Sequence, residues 1–345
     1  MRRHEMAQTR TPQFVAEISA NHRGSLERAR KLVVAAIKSG ATAVKLQTYT
    51  ADTMTLNLNS NNFRITKDHS LWGGRKLYSL YEEAHTPWDW HEELFQICRD
   101  SNVIPFSSPF DFTAVDFLEN LNVPMYKIAS METGDLPLIR KVAQTGKPVI
   151  ISTGATELSE IHEAVSAFNE SGNSDLTLLV CTSSYPAAPS DAHLSRIETL
   201  KSEFGVKVGI SDHTLGLGVS IAAIALGASM VEKHFTLSRL DGGADGAFSM
   251  EPKEFAQLVS EGKDAFAAIG DPDWKIQPSE MESRRLRRSL YVTKSVKAGD
   301  IINIENVRAI RPNGGLPPKY YDEIMGKIFR ESCEPGTPLR FDLID

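Results

Sequence analysis

Eight short runs rich in β-branched residues recur through residues 14–236, and most are separated by stretches with helical patterning. The runs are FVAEIS (14–19), AVKLQT (43–48), VIPFSS (103–108), YKIAS (126–130), PVIIST (148–153), LTLLVCTS (176–183), VKVGISDH (206–213) and MVEKHFT (230–236). Between them lie SLERARKLVVAAIKSG, AVDFLENL, ELSEIHEAVSAFNESG and GVSIAAIALGA, most ending near Gly or Asn, where helices stop. Such alternation requires parallel strands, since each helix carries the chain back to the start of the next strand. Eight such units in about 250 residues match a (β/α)8 TIM barrel. An open doubly wound sheet is the alternative, but no GxGxxG follows the first run.

The barrel domain is expected over residues 1–270, with a linker at 271–283 and a small β-rich domain at 284–345. The latter is built from SLYVTKSV, DIINIENVRAIRP and PLRFDLID, broken by KAGD, PNGG and EPGTP. It is short for a self-sufficient core, so it is expected to dock on something. Residues 49–85 form a long insertion after the second run. On a barrel it falls at the C-terminal face, where substrates bind, and is a candidate lid.

A net charge of −6 argues against nucleic acid as a partner, and RRLRR (284–288) is short enough to be a solvated face. Three scattered cysteines without CxxC spacing give neither a disulfide framework nor a zinc site. The N-terminal MRRHEMAQTR is not followed by an apolar signal segment, and no run is long enough to cross a bilayer. A cytoplasmic protein with no membrane partner is expected.

Every run ends in polar side chains: Glu17, Ser19 and Asn21; Lys45 and Gln47; Ser107 and Ser108; Lys127, Ser130 and Glu132; Ser152 and Thr153; Thr182, Ser183 and Tyr185; Ser211, Asp212 and His213; Lys233 and His234. On a barrel these converge on one mouth, and burying so many without a ligand is costly. His213 and His234 fall on neighbouring strands. Two imidazoles without a cysteine suit an open site for Mn²⁺, with Mg²⁺ or Co²⁺ as alternates, that polarises a carbonyl. That each merely hydrogen-bonds a neighbour fits the spacing equally well. Lys45 and Lys127 among serines suit a phosphate-bearing anion, with a Schiff-base lysine as the rival reading.

The motifs AEISANHRGSLERA, AVKLQTY, FSSPFD, YKIAS, IISTG, CTSSYP, GISDHT and EKHFT resemble the N-acetylneuraminate (sialic acid) synthase family along the whole barrel, and the tail resembles its antifreeze-like (SAF) domain. LQTYTADTMT, LWGGRKLYSLYEEAHTPWDWH and DGGADGAFSMEP look like the family's pseudaminic acid synthase subgroup. The resemblance implies a transferase that condenses phosphoenolpyruvate with an N-acetylated amino sugar. For the subgroup the sugar is 2,4-diacetamido-2,4,6-trideoxy-L-altrose; an N-acetylneuraminate or legionaminic acid synthase is the alternative within the family. It further implies that Lys45, Ser108, Lys127, Ser130, Ser152, Ser183 and Ser211 hold phosphoenolpyruvate. Glu17, Gln47, Glu132, Tyr185 and Asp245 would face the sugar or the attacking water, with Glu17, Tyr185 and Asp245 the catalytic candidates. His213 and His234 would bind the metal, and Arg311 would reach the barrel of a partner in a domain-swapped homodimer. Ser183 and Ser108 stand where sialic acid synthases usually carry Asn and Thr. In the insertion, Arg75 is the expected sugar contact. Outside the family, a Schiff-base aldolase and a non-catalytic carbohydrate-binding protein are the competing classes.

Overall fold

The structure, a computed structural model, describes residues 11–67 and 71–345. The chain divides into two compact units, the first ending at Gly270 and the second beginning at Asp271.

The first unit is a closed eight-stranded parallel barrel. Its strands are β1 (Gln13–Glu17), β2 (Ala43–Thr48), β3 (Ile104–Pro109), β4 (Tyr126–Ile128), β5 (Val149–Ser152), β6 (Leu176–Cys181), β7 (Lys207–Ser211) and β8 (Met230–His234). The helices start where local chemistry allows. Ser25 accepts Arg28 N–H ahead of helix Leu26–Lys38, and Asp111 accepts two N–H groups ahead of Phe112–Asn120. β1 closes the barrel by pairing with both β2 and β8, in a register that sets Glu17 beside Lys45 on one side and His234 on the other. Likewise Ser211 pairs with Cys181 and with Glu232.

Strand periodicity of two sorts the side chains into layers. Outward residues such as Phe14, Val44, Tyr126, Ile151, Leu178 and Val231 pack under the helices in the main core. Inward residues form a separate apolar plug of Val15, Ala43, Phe106, Ile150, Leu179 and Met230. The next inward position towards the C-terminal mouth is polar on every strand: Glu17, Lys45, Ser108, Lys127, Ser152, Cys181, Ser211 and Glu232. The plug leaves no room at β7. A Cβ on Gly209 would lie 2.5 Å from Met230 O and 2.8 Å from Leu179 Cδ2.

Lys233 faces outward and is buried. Its ammonium donates to Thr214 O at 2.6 Å and pairs with Asp212 Oδ2 at 3.1 Å. Asp212 also accepts Thr214 N–H, Thr214 Oγ1 and Ser220 Oγ. This satisfied buried pair ties the turn that carries His213 to the back of β8.

The insertion after β2 has its own turns and helices, at Ala51–Met54, Asn61–Phe63 and Leu77–Ala84, with an antiparallel bridge between Arg64 and Lys76. Of the segment expected to contact substrate, residues 68–70 lie outside the described residues.

The second unit has a two-stranded antiparallel sheet, β9 (Ser289–Val292) with β10 (Val307–Ile310). Leu290, Val292, Ile302, Val307, Phe329 and Leu339 are among its buried core. The segment PLRFDLID, expected as a strand, forms instead a 3-10 turn at Phe341–Leu343 held by single bridges, Tyr291–Pro338 and Phe329–Ile344. Pro338 has no N–H to extend a ladder. Among the described residues no helix is long and apolar enough to cross a membrane.

The close approach at Gly209 yields a stability test. Gly209→Ala is expected to cost about 1–3 kcal/mol, read as a lowered Tm, because the atom nearest the methyl is the Met230 backbone oxygen, which cannot move aside as a flexible side chain can. An unchanged Tm would show that the barrel floor is loosely packed.

Candidate active site

The polar layer opens into a cavity of about 460 Å³ at the mouth. Lys45, Gln47, Lys127, Ser130, Glu132, Ser152, Ser183, Tyr185, Ser211, His213, His234 and Asp245 all line it. Glu17 and Ser108 lie in the wall just behind Lys45: Glu17 Oε2 is 2.6 Å from Lys45 Nζ, and Lys45 Nζ donates to Ser108 Oγ at 3.4 Å.

Glu232 organises the floor. Its Oε1 accepts Lys127 Nζ at 3.3 Å and Ser211 Oγ at 2.9 Å, and lies 3.6 Å from Lys45 Nζ. Glu17, Lys45, Lys127 and Glu232 are all buried, so two ammonium groups and two carboxylates form one desolvated quartet. Burial would raise Glu232, but Lys127, Lys45 and the Ser211 hydroxyl outweigh it and hold the carboxyl down at about 2. Glu17 moves the other way: burial, with the like charge of Glu232, raises it against the pull of Lys45. Burial lowers Lys127, only partly offset by Glu232. For Lys45 the two carboxylates overcome burial and raise it.

A second group of side chains gathers at Gly154, just past β5. Gly154 N–H donates to Ser130 Oγ at 3.1 Å, and a Cβ here would sit 2.3 Å from Ser183 Oγ and 2.8 Å from Ser130 Oγ. Glycine thus leaves space for the Ser130 and Ser183 hydroxyls and the Cys181 thiol beside its backbone. The Ser152 and Ser183 hydroxyls are buried with no hydrogen-bond partner, as are Glu132 Oε2, Glu232 Oε2 and His234 Nδ1. Buried polar atoms rarely go unpaired, so these mark where a ligand's polar atoms fit. Burial raises Glu132 to about 7, and Asp245 is raised by burial against its hydrogen bonds from Ser19 and Ala20.

The two histidines meet at the rim, with ring centroids 5.3 Å apart. His213 Nδ1 is 2.9 Å from Thr182 O; donation there leaves Nε2 with a free lone pair. Burial and the neighbouring His213 and Lys45 push His234 well below its ordinary range, so it is neutral. Burial would also lower His213, but the Cys181 thiol and Thr182 O outweigh it and raise it; a bound cation would favour the neutral ring. Among the described residues no group of three or more His, Cys, Asp or Glu gathers as a ligand set. The donors therefore fit a cation that takes two imidazoles and leaves other positions to water or substrate.

The expected Arg75 contact comes out differently. Arg75 does not line the cavity. Its backbone carbonyl accepts Ile65 N–H within the insertion, and its guanidinium turns out to Glu83, both side chains being well exposed. The insertion contributes instead an apolar wall of Met54, Ile65, Trp72, Leu77, Leu80 and Tyr81. Trp72 Nε1 donates to Ala244 O at 3.1 Å and its ring lies 6.0 Å from Tyr185. Arg311 is exposed on the second unit, directly after β10. Glu232 and Lys233 resolve by strand alternation, the first inward and the second outward. Glu232 stands two residues before His234 on the same strand face, a signal available from the spacing. Nothing comparable in the sequence singles out Trp72, Tyr49 or Phe248, which reach the site from loops.

A model of the NeuB family matches residues 32–273, and one of the SAF domain matches residues 287–345. The pseudaminic acid synthase of Helicobacter pylori is 44% identical over 335 residues, spanning 97% of this chain and 98% of that protein. The N,N'-diacetyllegionaminic acid synthase of Campylobacter jejuni is 34% identical, spanning 95% and 98%. Among solved structures, the N-acetylneuraminic acid (sialic acid) synthetase of Leptospira borgpetersenii superposes with a TM-score of 0.71 at 32% identity, covering 80% of this chain and 90% of that one. With a family model spanning most of the barrel and synthases aligned end to end, the chain is an enzyme of the NeuB family that closes in a SAF domain.

Proposed function

We propose that the enzyme condenses phosphoenolpyruvate with the open-chain form of an N-acetylated amino sugar, and that the sugar is 2,4-diacetamido-2,4,6-trideoxy-L-altrose, giving pseudaminic acid and phosphate. The observation that carries this reading is one cavity holding two buried lysines, unpartnered buried hydroxyls and a histidine pair. The pseudaminic acid synthases at 42–44% identity support the choice of sugar. So does the apolar wall, which suits acetamido methyls and a deoxy carbon better than free hydroxyls.

The serines around Gly154 would take the phosphate, and Lys45 and Lys127 would supply charge to the carboxylate or phosphate. C3 of phosphoenolpyruvate would attack the sugar aldehyde carbon. Water would then add at C2, and the tetrahedral product would expel phosphate with C–O cleavage. Glu17, Glu132 and Asp245 are the carboxyls in or at the cavity with raised proton affinity, and they are the candidates for proton handling at the water and the sugar oxygens. His213 and His234 would hold a divalent cation, Mn²⁺ or a similar ion, whose chemistry when bound is to stabilise negative charge on the aldehyde oxygen. Arg311 is proposed to serve the barrel of a second copy, supported by the resemblance alone.

The direct test is phosphate release with phosphoenolpyruvate, Mn²⁺ and a panel of N-acetylated amino sugars. Turnover is expected with the diacetamido-trideoxy sugar; a borohydride-trapped lysine adduct would instead favour aldolase chemistry. His213→Ala and His234→Ala should each lower kcat by at least about 10²-fold with the fold intact, and EDTA should silence the wild type reversibly. Full activity in metal-stripped protein contradicts the metal assignment.

The sugar wall gives a second test. Trp72→Ala is expected to narrow discrimination between 6-deoxy and 6-hydroxy sugars by about tenfold, since apolar pockets select on that scale. Arg75→Ala should leave it unchanged, and the reverse pattern would move the sugar contact to Arg75.

Glu132 gives a third. Its folded proton affinity, about 7, lies above the ordinary 4.5, so between these values the folded chain holds a proton that the unfolded chain has lost. Stability therefore falls as pH rises through this window. Glu132→Gln should melt above wild type at pH 8 and lose that advantage at pH 5. An equal offset at both values would show that Glu132 is ordinary.

A further inference from the structure

Ser19 follows β1 with φ of 45°, in the left-handed region that a residue with a Cβ occupies at a cost and glycine occupies freely. It opens a 3-10 turn, Ser19–His22, and is buried against the cavity. Its N–H donates to Glu17 Oε1 at 3.0 Å. Its hydroxyl donates to Asp245 Oδ2 and accepts Gln47 Nε2 at 3.1 Å. Asp245 arrives from the loop after β8, 226 residues along the chain. Ala20 N–H reaches the same Oδ2 at 3.3 Å, so the turn grips one oxygen of this carboxylate with two donors.

The backbone alone would favour glycine here. What serine adds is the hydroxyl, and that hydroxyl sits between a β2 amide and the β8-loop carboxylate. Strain retained at a residue facing a cavity is the pattern expected when the side chain has work that the backbone does not need.

We propose that Ser19 is a positioning residue for the reaction, its hydroxyl setting Asp245 on one side of the β1–β8 closure while its N–H, which any residue here would supply, holds Glu17 on the other. What the two carboxyls do rests on the synthase reading above; the link itself rests on the hydrogen bonds and the backbone conformation. Ser19 does not touch the phosphate cradle at Gly154. Its loss should therefore show in turnover rather than in phosphoenolpyruvate binding.

Ser19→Gly and Ser19→Ala both delete the hydroxyl, and only the glycine relieves the turn. Ser19→Gly is expected to melt above Ser19→Ala. Both should lower kcat by about tenfold or more while KM for phosphoenolpyruvate stays within about twofold. A shared kinetic defect with unequal stability is a result that a purely structural serine would not give. Near-full turnover in Ser19→Gly, or activities that follow the melting temperatures of the two variants, would overturn the proposal. So would a Ser19→Gly protein that melts no higher than Ser19→Ala, a comparison that needs no turnover. Wild-type protein that releases no phosphate with any sugar refutes the synthase reading instead, and the melting comparison still decides whether the turn is strained.

Discussion

The cavity depends on Glu232. One carboxylate oxygen holds the ammonium groups of Lys127 and Lys45 and the hydroxyl of Ser211, from β4, β2 and β7, at the centre of the barrel. Without it Lys127 would lose its carboxylate partner, at a cost of several kcal/mol for an unpaired buried ammonium, and Lys45 would keep only Glu17. Glu17, on the far side of Lys45, supplies the second carboxyl of the floor. Burial raises the proton affinity of the other carboxyls in or at the cavity, Glu17, Glu132 and Asp245.

The charged floor is held from both sides. Below it, the apolar plug from Val15 to Met230 excludes water and fixes the strand register, and Gly209 marks how tightly it fits. Behind it, the buried Lys233–Asp212 pair anchors the turn that presents His213. Adjacent residues of one strand thus do opposite things: Glu232 and His234 face the reaction space while Lys233 locks the wall.

Much of this was legible in the sequence. Parallel barrel architecture followed from the strand–helix alternation, and the eight runs lie within a residue or two of the observed strands. The inward polar layer followed from strand ends that share a period of two. What the sequence did not disclose is which loop side chains fold back over the mouth. Arg75 was the expected sugar contact in the insertion, yet the Arg64–Lys76 bridge and Glu83 draw it outward, and Trp72 takes the place over the cavity. Residues such as Trp72, Tyr49 and Phe248 have no periodicity to betray them, because a loop has none. The strand expected at 338–345 failed for a local reason, since a chain opening on proline offers only isolated bridges.

We propose that the Glu17–Lys45–Lys127–Glu232 quartet and the serines near Gly154 together form the phosphoenolpyruvate site. A crystal structure of the enzyme soaked with phosphoenolpyruvate and Mn²⁺ tests it most directly. Phosphate oxygens are expected within hydrogen-bond distance of the Ser152 and Ser183 hydroxyls and the Gly154 region, with Lys45 or Lys127 on the anion and Glu232 still in place. Phosphoenolpyruvate bound away from these residues, or continuous density from a lysine Nζ to the substrate carbon, would contradict it.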